Sequence, residues 1–128
     1  MEKVSISCII PAFNEEKTIG GVVSVLQDLR LKGIDTEIIV VSDGSNDQTA
    51  ERAREAGADT VIDLKKNIGK GGAVIEGIKR ATRDILLFLD ADLVNLNVEH
   101  LQQMLAPVAK NEADMAIGFL TDMKTQNT

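Results

Sequence analysis

At 128 residues the chain has room for one domain with its own hydrophobic core, and a second is not expected. Lys and Arg number 14 against 20 Asp and Glu, a net charge of −6, so a phosphate backbone would be repelled and nucleic acid is not an expected partner. A single cysteine, Cys8, excludes an internal disulfide, and no run reaches the roughly 18 apolar residues of a membrane span. With no long apolar stretch after Met1-Glu2-Lys3, the expected location is the cytoplasm, with peripheral attachment to a membrane left open.

In chain order, apolar and β-branched runs at 4–10, 37–41, 60–64, 85–89 and 114–117 read as short buried strands. Between the first two, Ile19, Val22, Val23, Leu26 and Leu29 recur at helical spacing, and Gly33 marks the stop. Ser45 and Gln48 form a capping-box pattern ahead of Ala50, Ala53 and Ala56, with Gly57 closing that second helix. Val74, Ile78 and Ala81 mark a third helix. Val98, Leu101, Leu105 and Val108 mark a fourth, with Asn97 as its cap. Strands alternating with helices require right-handed crossovers, which gives an α/β fold with a doubly wound, mostly parallel sheet. Residues 1–120 form the expected domain, and 121–128 a polar tail that looks like a cut end.

In open sheets of this kind ligands bind at the carboxyl ends of the strands, and those segments are unusually polar here. The first strand runs into Pro11-Ala12-Phe13-Asn14-Glu15-Glu16, the second into Ser42-Asp43-Gly44-Ser45-Asn46-Asp47, and the fourth into Asp90-Ala91-Asp92. Carboxylates gathered at one edge repel unless a cation or many hydrogen-bond donors lie among them. In an extended segment Asp90 and Asp92 point to the same side, so one hard cation, Mg²⁺ or Mn²⁺, could sit against both. Asn67-Ile68-Gly69-Lys70-Gly71-Gly72-Ala73 precedes the third helix, where glycines allow close backbone approach and Lys70 brings positive charge towards phosphate. Neither the Walker A spacing nor G-x-G-x-x-G is present. Cys8, Met104 and Met115 read as core, His100 as a surface residue, and Lys65-Lys66 as solvated charge.

Taken together and in order, the segments 9–16, 40–47, 67–73 and 88–92 resemble family 2 glycosyltransferases of the A-type fold. The Gly-Lys-Gly-Gly form is similar to the branch holding polyprenyl-phosphate glycosyltransferases and glucosyl-phosphoglycerate synthases. The resemblance covers the amino-terminal, donor-binding half of such enzymes. It implies a Rossmann-like nucleotide-diphospho-sugar transferase fold and a UDP- or GDP-linked sugar as ligand. By the same resemblance Pro11, Ala12 and Glu15 line the nucleoside pocket, with Glu15 accepting from ribose and Asp43 from the base. Lys70 approaches the nucleotide, Asp90 contacts the ribose or diphosphate, and Asp92, with Asp90, holds Mg²⁺ or Mn²⁺. Transfer would invert the anomeric centre and deliver the sugar to an unassigned acceptor, with a polyprenyl phosphate among the candidates.

The family's acceptor site and catalytic base lie beyond the matching part, so no catalytic base is assigned and the chain alone is expected to transfer poorly. The uncovered last strand is expected to drive homo-oligomer formation. Two other readings stand beside this one. The chain could be a non-catalytic nucleotide-binding or assembly module, which turnover of a sugar nucleotide would distinguish. A response-regulator-like phosphoacceptor would need an acidic pair after the first strand, where this chain has Pro-Ala-Phe-Asn.

Overall fold

Alternating strands and helices are what the computed structural model shows, and it describes residues 4–109 and 119–120. In order they are β1 (Ser5–Ala12), α1 (Ile19–Leu31), β2 (Asp35–Asp43), α2 (Thr49–Ala56), β3 (Thr60–Leu64), α3 (Lys70–Arg80), β4 (Ile85–Leu89), α4 (Val98–Ala109) and β5 (Phe119–Leu120). The strands lie in the order β3-β2-β1-β4-β5, and every pairing is parallel. The expected strand at 114–117, the core placement of Met115 and the polar tail at 121–128 lie outside the described residues. The edge position beside β4 is taken by β5, paired Phe88 to Phe119 and Leu89 to Leu120.

Side chains alternate across a strand, so β1, β2 and β4 each feed two cores. Ile6, Cys8 and Ile10 of β1, Ile38 and Val40 of β2, and Ile85, Leu87 and Leu89 of β4 pack with α1, with Ala53 of α2 and with Leu101 and Leu105 of α4. Ile9, Ile39, Val41 and Phe88 point the other way and meet Ala73 of α3. The helices thus cover both faces, three on one and one on the other, as a doubly wound sheet requires. Burial also pushes the Cys8 thiol well above its ordinary range, which leaves it an inert core residue.

Three local expectations need correction. Ser45 and Gln48 do not form a capping box: the α2 N-cap is Gln48, without a side-chain bond, and Ser45 Oγ accepts instead from the Asn14 N–H at 3.0 Å. The acceptor for α2 is Asp47, whose Oδ1 takes the Thr49 N–H at 2.9 Å. On α3 the seated face is Ala73 and Gly77, with Val74 and Ala81 partly buried, while Ile78 is 40% exposed. The cause is the close seat of the helix on the sheet, since a Cβ on Gly77 would lie 2.5 Å from Ile9 Cγ2. Finally, the chain does not stay extended through Asp90 and Asp92 but turns at Ala91, which is buried in the core. The α4 cap and three surface residues are as expected: Asn97 Oδ1 accepts the His100 N–H at 2.9 Å, and His100, Lys65 and Lys66 are exposed.

Candidate functional site

The strand order reverses between β1 and β4, one chain half running outwards through β2 to β3 and the other through β4 to β5. Loops diverge at such a point and leave a crevice at the carboxyl ends of the strands. Here the crevice is an open cleft of about 410 Å³. All seven residues expected at the site from sequence, Pro11, Ala12, Glu15, Asp43, Lys70, Asp90 and Asp92, line it. Phe13, Asn67 and Ala91 line it as well, beyond the residues the resemblance assigns, and fall within the segments 9–16, 67–73 and 88–92. Gly69 is at the cleft wall, but Gly71 and Gly72 are not; the Ile68 side chain lies over Gly72, within 2.9 Å of where its Cβ would be.

The first wall is tied to the second by backbone donors reaching across. Asn14 sits in the left-handed region at φ 53, where its Oδ1 accepts the Asn46 N–H at 2.8 Å while its own N–H reaches Ser45. Glu15 N–H donates to Thr49 Oγ1 at 3.0 Å, and Glu16 N–H to Asp47 Oδ2 at 3.3 Å. Burial raises the Asp47 carboxyl, but the Thr49 hydroxyl, the Thr49 N–H and the Glu16 N–H outweigh it and hold Asp47 below its ordinary value. The Thr18 hydroxyl lies 3.1 Å from Glu15 Oε2 and 2.8 Å from the Ala91 carbonyl oxygen, so one short side chain joins the β1 loop to the β4 turn.

Asp43, at the end of β2, is only 4% exposed. Its Oδ1 accepts the Ile68 N–H at 2.7 Å and its Oδ2 the Gly69 N–H at 3.0 Å, while its carbonyl takes Asn67 Nδ2 at 3.1 Å. The glycine-rich loop is therefore fastened to the sheet by one carboxylate. Gly44 makes the approach possible: its φ is 73, and a Cβ there would be 2.7 Å from the Lys66 carbonyl carbon. Lys70, just after the fastened loop, places its Nζ 2.7 Å from Asp90 Oδ1. The Lys70 side chain is 61% exposed and that of Asp90 20%, so the ammonium reaches into the cleft from its solvent side. Among the described residues no cluster of three or more Asp, Glu, His or Cys could hold a metal by itself.

The sequence model of the family described as glycosyl transferase family 2 matches residues 7–127. The chain belongs to that family. Among its relatives, the glucosyl-3-phosphoglycerate synthase of Mycolicibacterium smegmatis is 34% identical over 81% of this chain and 36% of its own length. The dolichol-phosphate mannosyltransferase of Pyrococcus furiosus is 36% identical over 90% of this chain and 33% of its own. The chain thus spans about a third of these relatives. The glucosyl-3-phosphoglycerate synthase of Mycobacterium tuberculosis, solved with Mn²⁺, UDP-glucose and phosphoglyceric acid, superposes with a TM-score of 0.72 and 31% identity, covering 85% of this chain and 40% of that one. The same synthase has also been solved with Mg²⁺ and UDP, at a TM-score of 0.71 and 32% identity over 82% of this chain and 39% of that one. This chain therefore has the A-type glycosyltransferase fold. No helix among its described residues is long and apolar enough to cross a membrane.

Proposed function

We propose that this family 2 domain binds a UDP- or GDP-linked sugar in the cleft at the ends of β1, β2 and β4, for inverting transfer of the sugar to an acceptor hydroxyl or phosphate. One observation carries the reading: seven residues chosen from four separate stretches of sequence line a single cleft at the switch point of the sheet. Pro11, Ala12 and Glu15 form the nucleoside wall, with the Glu15 carboxylate accepting from ribose. Asp43 holds the glycine-rich loop, and since a carboxylate offers about four lone-pair sites, two remain for a base N–H. Lys70 neutralises diphosphate charge.

The donor set suits a hard divalent ion. Asp90 and Asp92 both line the cleft, and Mg²⁺ or Mn²⁺ needs only one or two carboxylate ligands when phosphate oxygens and water complete its shell. Lys70 stands against Asp90, but its exposed side chain is free to swing towards the diphosphate. When bound, the ion would supply the positive charge that stabilises the leaving diphosphate. The acceptor is an oxygen nucleophile of the kind the relatives' names give, a phosphoglycerate or a polyprenyl phosphate, and the domain works in the cytoplasm.

Calorimetric titration of UDP and GDP tests this reading. Affinity should be at least about tenfold higher with Mn²⁺ or Mg²⁺ than with chelator, and Asp92→Asn should remove that gain while leaving the circular dichroism unchanged. Equal affinity with chelator, or a variant that binds like the parent, would contradict the metal assignment.

A further inference from the structure

The net charge of −6 conceals a strong segregation. Between residues 65 and 80 stand five basic residues, Lys65, Lys66, Lys70, Lys79 and Arg80, against the single acid Glu76, a local net of +4. The rest of the chain then carries nine basic against nineteen acidic residues, a net of −10. All five basic residues are exposed. Two have acidic partners, Lys79 with Glu76 at 3.1 Å and Lys70 with Asp90 at 2.7 Å. Lys65, Lys66 and Arg80 have no ion pair among the described residues.

The same segment holds three of the six large apolar side chains exposed on the described surface, Ile68 at 51%, Ile75 at 56% and Ile78 at 40%. They fall on one side of α3. Ile68 lies over Gly72, Ile75 follows one turn later, and Ile78 is three residues further, all turned away from the Ala73 and Gly77 face that meets the sheet. An eleven-residue helix is about 16 Å long, so the stripe runs the length of a short rod lying on the outside of the domain. Isoleucine is a costly choice for a solvated helix face, and lysine beside it is what an anionic, partly apolar surface would match.

We propose that the outer face of α3, with Lys65 and Lys66 before it, docks on an anionic lipid bilayer. Charge complementarity picks the occupant: the apolar stripe enters the headgroup boundary, and Lys65, Lys66, Lys79 and Arg80 meet lipid phosphates. The orientation has a consequence for the cleft. The amino end of α3 carries Gly69 and Lys70 into the cleft wall, so a bilayer lying along α3 borders the cleft mouth, where a lipid-borne phosphate acceptor would enter. The proposal deepens the polyprenyl phosphate reading but is measured without nucleotide, so either can fail alone.

Co-sedimentation of the chain with vesicles tests it, using phosphatidylcholine alone and a two-to-one mixture with phosphatidylglycerol. Binding is expected to the mixed vesicles only, and to fall away in about 0.5 M salt, where screening shortens the reach of surface charge to a few ångströms. The double variant Lys79→Gln/Arg80→Gln should lower the partition coefficient about 25-fold, and Lys65→Gln/Lys66→Gln about as much. Ile75→Ser should weaken binding at unchanged salt dependence. These residues lie outside the cleft, so UDP affinity should not move. Absence of binding to either vesicle, equal binding to both, or self-association of the chain that Lys79→Gln/Arg80→Gln abolishes would overturn the proposal; the last would make a second copy the occupant.

Discussion

Among the described residues, three helices and a cluster of nineteen buried residues form the core on one face of the sheet, whereas α3 and a cluster of five form it on the other. The deep face joins a large apolar core to polar bonds of its own, among them Gln27 Nε2 to the Gly57 carbonyl at 3.0 Å and Arg30 Nη2 to the Thr36 carbonyl at 2.9 Å. The shallow face is held by polar bonds at both ends: Asp43 takes the Ile68 and Gly69 N–H groups at the top, and at the foot Glu37 Oε1 accepts from Ser7 Oγ at 2.7 Å and from the Thr82 N–H at 3.0 Å. Stability should therefore come mainly from the deep face, while the shallow one carries Asp43, Lys70 and Asp90. That division lets the loops be shaped for a ligand without thinning the main core.

The largest expected effect probes the deep face. Leu26, fully buried between helix and sheet, should cost about 2–5 kcal/mol when changed to Ala, against less than about 0.5 kcal/mol for Ile75→Ala on the outer side of α3. Denaturant unfolding of the two variants measures the contrast, and equal losses would break it. Next comes the seat of α3. Gly77→Ala improves helix propensity, yet its Cβ would press on Ile9, and overpacking of about 1–3 kcal/mol should win. Because α3 carries Lys70, the same variant should also weaken UDP binding; a stabilised, fully binding Gly77→Ala would show that the helix is not tightly seated.

A smaller effect is expected at Asp43. Its replacement by Ala leaves the Ile68 and Gly69 N–H groups to water, at about 1–2 kcal/mol, since that loop is partly exposed. Faster amide exchange confined to the 67–70 loop is the check, and unchanged exchange would remove Asp43 as its anchor.

The smallest effect is a pH dependence. Burial raises the Glu37 carboxyl, but donors from Ser7, the N–H and hydroxyl of Thr82, and the charge of Arg83 outweigh it and hold its value below 4.5. A carboxyl lowered in the folded state adds stability that is fully present above about pH 4.5 and lost as pH falls through the lowered value. Glu37→Gln should flatten the unfolding midpoint over that range; an unchanged acid limb would place the titrating group elsewhere.

The sequence made the deep face legible because Ile19, Val22, Val23, Leu26 and Leu29 repeat at helical period over alternating strands. The shallow face was harder to read. Ile78, which with Val74 and Ala81 advertises a buried stripe, is turned outwards by the structure, since Gly77 allows an approach that hydrophobic counting does not register. Local chemistry misled at Ser45 for a related reason: a hydroxyl placed for its own helix is taken by Asn14, thirty-one residues away, and only the fold brings those two together. Asp43, Lys70, Asp90 and Asp92 stand out because sites at strand ends collect polar and glycine residues, whereas Pro11, Ala12 and Glu15 are picked out only by the family resemblance. What that pattern did not show was the fastening role of Asp43 or the ion pair of Lys70 with Asp90, both of which depend on distances between separate loops.

Amide hydrogen exchange of the chain with and without UDP and Mn²⁺ tests the central assignment most directly, because it reads the deep core and the shallow-face loops in one experiment. The account predicts new protection at residues 13–15, 43–46, 67–71 and 90–92 on adding both ligands, with little change along the buried side of α1. Protection centred instead on the groove between α1 and Leu93–Leu96, or none at all at saturating UDP and Mn²⁺, would contradict it.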